Sequence, residues 1–166
     1  LTAGLHSLRI EYYERGGVAV AQLRWEKVSS TVPEATAWLG EYFGNVDLAG
    51  TPAFVRSDRV IDFNWGSGAP DARLPADRFS VRWTRTLTFS EGTYRFRATV
   101  DDGFRLYVDG VLVIDEWRDG GQRELTADRR LTAGMHTLRV EYYERSGVAV
   151  AWVRWEKVPS AVPDSA

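Results

Sequence analysis

Two adjacent carboxylates, Asp101 and Asp102, are the residues of this chain whose type and spacing are best suited to binding chemistry. Carboxylate oxygens are the ligands that hard cations such as Ca²⁺ prefer. Asp residues in turns also accept hydrogen bonds from nearby backbone N–H groups, so a structural turn is the alternative interpretation of the pair. The residue types alone leave both interpretations open.

Alternating apolar and polar residues on either side of the pair predict β-strands. Residues 94–100 show the period-two pattern of a half-buried strand that runs directly into the two acids. After Gly103 the alternation resumes over residues 104–108 and reaches Asp109-Gly110, a dipeptide typical of a two-residue hairpin turn. The pair is therefore predicted to lie at the rim of a sheet, where loops carry binding chemistry on a rigid scaffold.

Short alternating runs of this kind recur along the chain. They include residues 60–65, 81–89, 138–142 and 149–155, and turn residues separate them. No stretch shows a sustained helical period of 3.6 residues. The pattern predicts an all-β fold, an antiparallel β-sandwich or barrel.

Composition excludes several classes of function. The 166 residues suffice for one well-buried domain and a remnant of another. With 21 basic and 23 acidic residues, the net charge of -2 does not predict the positively charged surface that binds nucleic acid. No apolar run approaches the roughly 18 residues of a membrane-spanning helix, so we expect no membrane insertion. The absence of cysteine excludes a disulfide scaffold, and because residue 1 is Leu we expect a mature fragment or a piece of a longer protein.

The beginning of the chain is repeated near its end. Residues 1–33 and 131–163 are identical at 25 of 33 positions, at an offset of 130. Such self-similarity is typical of arrays of repeated domains. We predict that residues 1–28 are either the last two strands of a preceding repeat or strands exchanged with a neighbouring copy. Residues 29–37 are predicted to be a linker, 38–158 a complete domain, and 159–166 the start of the next linker.

Several ordered motifs give the complete domain a family resemblance. They are Gly40-Glu41-Tyr42-Phe43, Ile61-Asp62-Phe63-Asn64-Trp65-Gly66, Phe79-Ser80-Val81-Arg82-Trp83, residues 101–110, and Glu141-Tyr142-Tyr143-Glu144 through Trp155. Together they resemble the PA14 domain over residues 38–158. The resemblance implies a β-sandwich or barrel, in agreement with the strand pattern. Because the family occurs in secreted glycosidases, toxins and adhesins of bacteria and fungi, it also implies a secreted or cell-surface location.

The resemblance implies a metal site at the paired acids. In lectin-like members a matching Asp-Asp pair is joined by a cis peptide and binds Ca²⁺, which holds sugar hydroxyls. Asp101 and Asp102 match that pair. The second loop departs from the lectin pattern, because residues 144–149 contain no Asn or Gln. Either Glu144 supplies an oxygen to the cation, or Arg145 occupies the place of the cation.

The residues implied for sugar binding are Asp101, Asp102, Trp117 and Arg145. Trp117 lies in the loop over residues 115–121 and is the candidate for stacking on a sugar ring. No nucleophile, base and acid combination typical of a hydrolase is present in the sequence, so we expect a protein without catalytic activity.

Two functions remain as hypotheses. Residues 1–28 and 131–158 are nearly identical and can occupy the same place in a sheet, which favours head-to-tail contacts between neighbouring copies or repeats. The first hypothesis is therefore an adhesive or structural repeat of an extracellular protein, assembled into a tandem array or filament. The alternative is a Ca²⁺-dependent carbohydrate-binding module of an adhesin or a secreted glycosidase, with glycans as partners.

Overall fold

The computed structural model describes residues 37–159, which form ten β-strands and contain no helix. The strands are β1 (Trp38–Phe43), β2 (Phe54–Asp58), β3 (Asp62–Gly66), β4 (Phe79–Phe89), β5 (Gly92–Asp101), β6 (Gly103–Val108), β7 (Val111–Glu116), β8 (Arg123–Leu131), β9 (Gly134–Glu144) and β10 (Ala149–Lys157). Among these residues, therefore, no helix is available that could cross a membrane.

The strands build two antiparallel sheets. One has six strands in the order β2-β1-β4-β9-β6-β7, and the other has four in the order β3-β10-β5-β8. All neighbouring strands pair antiparallel. The all-β antiparallel fold predicted from the alternation is thus confirmed. The predicted strands at 1–28 and nearly all of both predicted linkers lie outside the described residues.

Alternation along each strand separates the core from the outer faces. On β5 the apolar residues Phe96, Ala98 and Val100 are buried, and the residues between them are partly exposed. On β9 the buried residues Leu138 and Val140 face the core in the same way. The inward side chains of both sheets form one continuous core, which is the arrangement expected when two sheets bury one face each.

A buried carboxylate fixes the edge of the larger sheet. Asp58, at the end of β2, accepts hydrogen bonds from the Tyr42 hydroxyl at 2.6 Å and from Trp83 Nε1 at 2.8 Å. Its other oxygen pairs with Arg56 Nε at 2.6 Å. Because a buried charge is stable only when paired and hydrogen-bonded, this network holds β2 in one position against β1 and β4.

The chain crosses from one sheet to the other four times at the same end of the sandwich. The crossings join β3 to β4, β5 to β6, β7 to β8 and β9 to β10. The register places these strand ends together, since Asp101 pairs with Val150 and Gly103 pairs with Tyr143. Four loops therefore meet over one rim of the core.

Candidate metal centre and adjoining loops

The paired acids form the shortest of these crossings. Asp101 is the last residue of β5 in the smaller sheet, and Gly103 is the first residue of β6 in the larger one. The peptide bond between Asp101 and Asp102 is cis, as the family resemblance implied. A side chain at position 103 would overlap the ring of Tyr143, so glycine is required for the chain to pass there. The corner is thereby placed directly against the end of β9.

Glu144 brings a third carboxylate to the corner. It is the last residue of β9 and is fully buried. One carboxylate oxygen from each of Asp101, Asp102 and Glu144 lies within 4.8 Å of the others. Oε1 of Glu144 has no hydrogen-bond partner within residues 37–159. The three residues predicted as metal ligands are therefore brought together, and one buried oxygen of the cluster has no partner within the described residues.

The surroundings of the cluster disfavour three ionised carboxylates. Burial raises the pKa of Glu144 to about 8, and the nearby carboxylates Asp102, Asp101 and Asp77 add to that effect. Burial and the charge of Asp102 also raise the pKa of Asp101, although Arg123 partly opposes them. Desolvation and like charge both disfavour ionised carboxylates. Three oxygen donors in such a place fit a hard divalent cation such as Ca²⁺.

Asp102 also organises the loops around the site. Its Oδ1 accepts a hydrogen bond from the Gly120 N–H at 2.8 Å, and its Oδ2 accepts one from the Arg145 N–H at 2.9 Å. Arg123 Nη2 donates to the Asp102 carbonyl oxygen at 2.8 Å. Asp102 therefore makes the backbone contacts that the turn interpretation predicts and lies in the carboxylate cluster as well. The β7–β8 and β9–β10 loops are both tied to this one side chain.

Arg145 does not take the place of a cation. Its guanidinium pairs with Asp119 in the β7–β8 loop, with Nε 2.8 Å from both carboxylate oxygens. Asp119 thus gives the arginine a partner outside the carboxylate cluster, which favours Glu144 over Arg145 as the residue that completes the site. The Tyr143 hydroxyl also donates to Asp119, at 2.7 Å, and these two contacts lower the pKa of Asp119. Whether Arg145 contacts a sugar stays a prediction.

Trp117 lies one residue beyond β7, beside the site. Its ring meets the ring of Tyr143 edge-on, with centroids 4.7 Å apart, and the guanidinium of Arg105 lies 3.9 Å from the Trp117 ring centroid. The indole therefore contacts Tyr143, the residue that precedes the predicted metal ligand Glu144. The structure holds Trp117 in a fixed position at the rim, and its stacking on a sugar stays a prediction.

Comparison with known proteins gives the family. The model of the PA14 domain matches residues 34–164, so the chain belongs to the PA14 domain family, as the motifs predicted. It is 43% identical over 119 residues to a protein named anti-sigma-I factor RsgI3 from Acetivibrio thermocellus, a match that covers 70% of the chain and 18% of that protein.

Two solved structures are similar to the chain. One is an anti-sigma factor domain-containing protein, with a TM-score of 0.69 and 40% identity over 74% of the chain and 43% of that protein. The other is the PA14 sugar-binding domain from an RTX adhesin, with a TM-score of 0.65 and 22% identity over 74% of the chain and 90% of that domain. Because the adhesin domain is only 22% identical to the chain, its similarity concerns the fold alone. The chain spans less than half the length of the two anti-sigma factor relatives.

Proposed function

We propose that the chain is a non-catalytic carbohydrate-recognition module that depends on Ca²⁺ and serves as a sensor within a regulatory protein. The observation that carries the proposal is the cluster of Asp101, Asp102 and Glu144, in which a buried oxygen of Glu144 has no hydrogen-bond partner among residues 37–159. A hydrogen-bonded turn would satisfy its buried oxygens, whereas this arrangement leaves one available for a cation.

Different residues of the chain would hold the cation and position the loops around it. Asp101, Asp102 and Glu144 would hold the cation, which when bound supplies open coordination positions for sugar hydroxyls. Asp102 keeps the two neighbouring loops in place through the Gly120 and Arg145 N–H groups. The site is therefore organised before a ligand arrives, which reduces the ordering cost of binding.

Relatives support the regulatory part of the proposal. A protein named as an anti-sigma factor is 43% identical to this chain, and a solved protein that contains an anti-sigma factor domain is 40% identical. The similarly folded RTX adhesin domain is named as sugar-binding. A glycan-binding module attached to a transcriptional regulator would report the presence of that glycan. We place the module outside the cell or at its surface, where polysaccharides are encountered.

The hypothesis of an adhesive or structural repeat is retained as the second candidate. Its sequence observation is the near identity of residues 1–28 and 131–158. Head-to-tail assembly into an array or filament depends on residues 1–28, which lie outside the described residues. It stays a prediction that sedimentation of the chain at increasing concentration would test.

Affinity electrophoresis tests the carbohydrate proposal. The 166-residue chain is run through gels that contain a panel of soluble polysaccharides, with Ca²⁺ or with EGTA. At least one polysaccharide should retard the wild-type chain in Ca²⁺ and not in EGTA. Asp101→Asn should remove the retardation, and Asp47→Asn, at an exposed position after β1, should leave it unchanged. Retardation that is equal in Ca²⁺ and EGTA would contradict the proposal.

A further inference from the structure

A groove runs along the outer face of the four-stranded sheet, beside the carboxylate cluster. Its volume is about 380 Å³. It lies across β3, β5 and β10 and reaches the start of β8. Its polar and aromatic lining includes Asp62, Asn64, Gln122, Glu124, Trp152 and Arg154.

The lining has the chemistry that recognises a sugar chain. Side-chain amides and carboxylates present donors and acceptors in a plane, which suits the hydroxyl groups of a pyranose ring. An indole supplies a broad apolar face with little conformational freedom. The guanidinium of Arg154 lies 4.3 Å from the Trp152 ring centroid, and this cation–π contact limits the movement of the indole.

The groove continues directly from the carboxylate cluster. Asp101 pairs with Val150 in the sheet, and Val150 lines the near end of the groove. The backbone N–H of Gln122, another lining residue, faces the Asp101 carboxylate. From Val150 to Arg154 the strand extends about 13 Å, at roughly 3.3 Å per residue. A chain that leaves the cluster along β10 would therefore pass over Trp152.

We propose that this groove binds the continuing chain of a polysaccharide, one sugar of which is held at the carboxylate cluster. The inference rests on the proposed function and extends it from a single sugar to an oligosaccharide. The groove carries both signs of charge, with Asp62 and Glu124 on its walls and Arg154 at its far end. A polyanion such as nucleic acid would meet the two carboxylates, whereas a sugar chain can hydrogen-bond to all three side chains.

The test compares binding of saccharides of increasing length. The full chain is titrated in Ca²⁺ with the mono- to hexasaccharides of the neutral polysaccharides β-glucan, xylan and mannan, and binding is measured by calorimetry. For at least one series the wild-type affinity should rise with length. Trp152→Ala should remove that rise and weaken the longest ligand by about tenfold or more, as expected when a central aromatic anchor is truncated.

Gln122→Ala is the second variant, because it removes a groove amide without removing a large side chain. It should weaken the long ligands and leave the monosaccharide unchanged. Thr126→Ala, on the outer face of β8 beyond the groove, is the matched control and should behave as wild type. Far-ultraviolet circular dichroism of each variant establishes that the sheets are intact.

The outcomes separate the two proposals. If affinity does not depend on length, or if both groove variants retain it, the groove assignment is wrong while Ca²⁺-dependent binding of the short ligand stands. If Asp101→Asn has no effect on binding but Trp152→Ala abolishes it, the proposed function fails and the groove alone carries the ligand. If no saccharide of the three series binds, the groove assignment is also wrong.

Discussion

Replacement of Glu144 by Gln should make the metal-free protein more stable at neutral pH. Burial and three neighbouring carboxylates raise the pKa of Glu144 from 4.5 to about 8 in the folded state. Between these two values the folded chain binds a proton that the unfolded chain has released. Its stability therefore decreases as the pH rises through this window, by about 1.4 kcal/mol for each pH unit. Between pH 5 and pH 7.5 the accumulated loss is on the order of 3 kcal/mol.

A glutamine at position 144 has no such dependence, because its amide stays neutral. Its N–H groups can also donate to the Asp101 and Asp102 carboxylates beside it. Urea unfolding of wild type and Glu144→Gln in EDTA, at several pH values between pH 5 and pH 8, measures both slopes. Wild type should lose stability across the range, and the variant should lose much less. Added Ca²⁺ should stabilise the wild type more than the variant, because the amide oxygen of Gln is neutral and the carboxylate of Glu144 is a stronger Ca²⁺ ligand.

Glu91→Gln is the matched control for this comparison. Glu91 lies in the turn between β4 and β5, its side chain is 63% exposed, and it pairs with Arg130. Its variant should follow the wild-type slope. Parallel slopes for wild type and Glu144→Gln would contradict this prediction, because they would show that Glu144 is ionised in the folded protein without metal.

Two further predictions concern the corner glycine and the opposite end of the sandwich. Gly103→Ala should lower the free energy of unfolding by about 1–3 kcal/mol, because its methyl group overlaps the Tyr143 ring. Gly121→Ala is the control and should change the free energy of unfolding little, because the space at its Cβ is open. Urea unfolding measures both variants. The hydrogen bond to Asp109 raises the pKa of His136, so the stability it provides is present below pH 6.5 and is lost as the pH rises through the higher folded value. Asp109→Asn should bring that pKa down toward 6.5 in an NMR titration, and an unchanged pKa would contradict the assignment.

Strands with a strong apolar alternation could be predicted from the sequence. Over β5 every second residue is apolar, and the predicted strand at 94–100 lies within Gly92–Asp101. β8 was missed because Arg129, which is exposed, interrupts the apolar alternation that ends at Leu131. β2 was missed for a related reason, because the charged residue Asp58 occupies its last inward position. Hydrogen bonds from Tyr42 and Trp83 offset the cost of burying this carboxylate.

The candidate site was predictable only in its local part. Asp101 and Asp102 are adjacent in the chain, and their position at the end of a strand follows from alternation. The pairing of Arg145 with Asp119 spans 26 residues and depends on two loops that meet only in the folded sandwich. The spacing of residues in the sequence does not predict such a contact, so the sequence alone could not show that Arg145 pairs with Asp119. The groove over Trp152 likewise depends on strands brought together from three parts of the chain.

The central claim is that the three carboxylates form a Ca²⁺ site. Thermal unfolding of the 166-residue chain in Ca²⁺ and in EDTA tests it most directly, with Asp101→Asn in parallel. A ligand that binds only the folded state stabilises it by about 2.7 kcal/mol at a hundredfold excess over its Kd. The Tm of the wild type should rise clearly in Ca²⁺, whereas the Tm of Asp101→Asn should not change. An unchanged wild-type Tm at millimolar Ca²⁺ would contradict it and leave the paired acids as a structural turn.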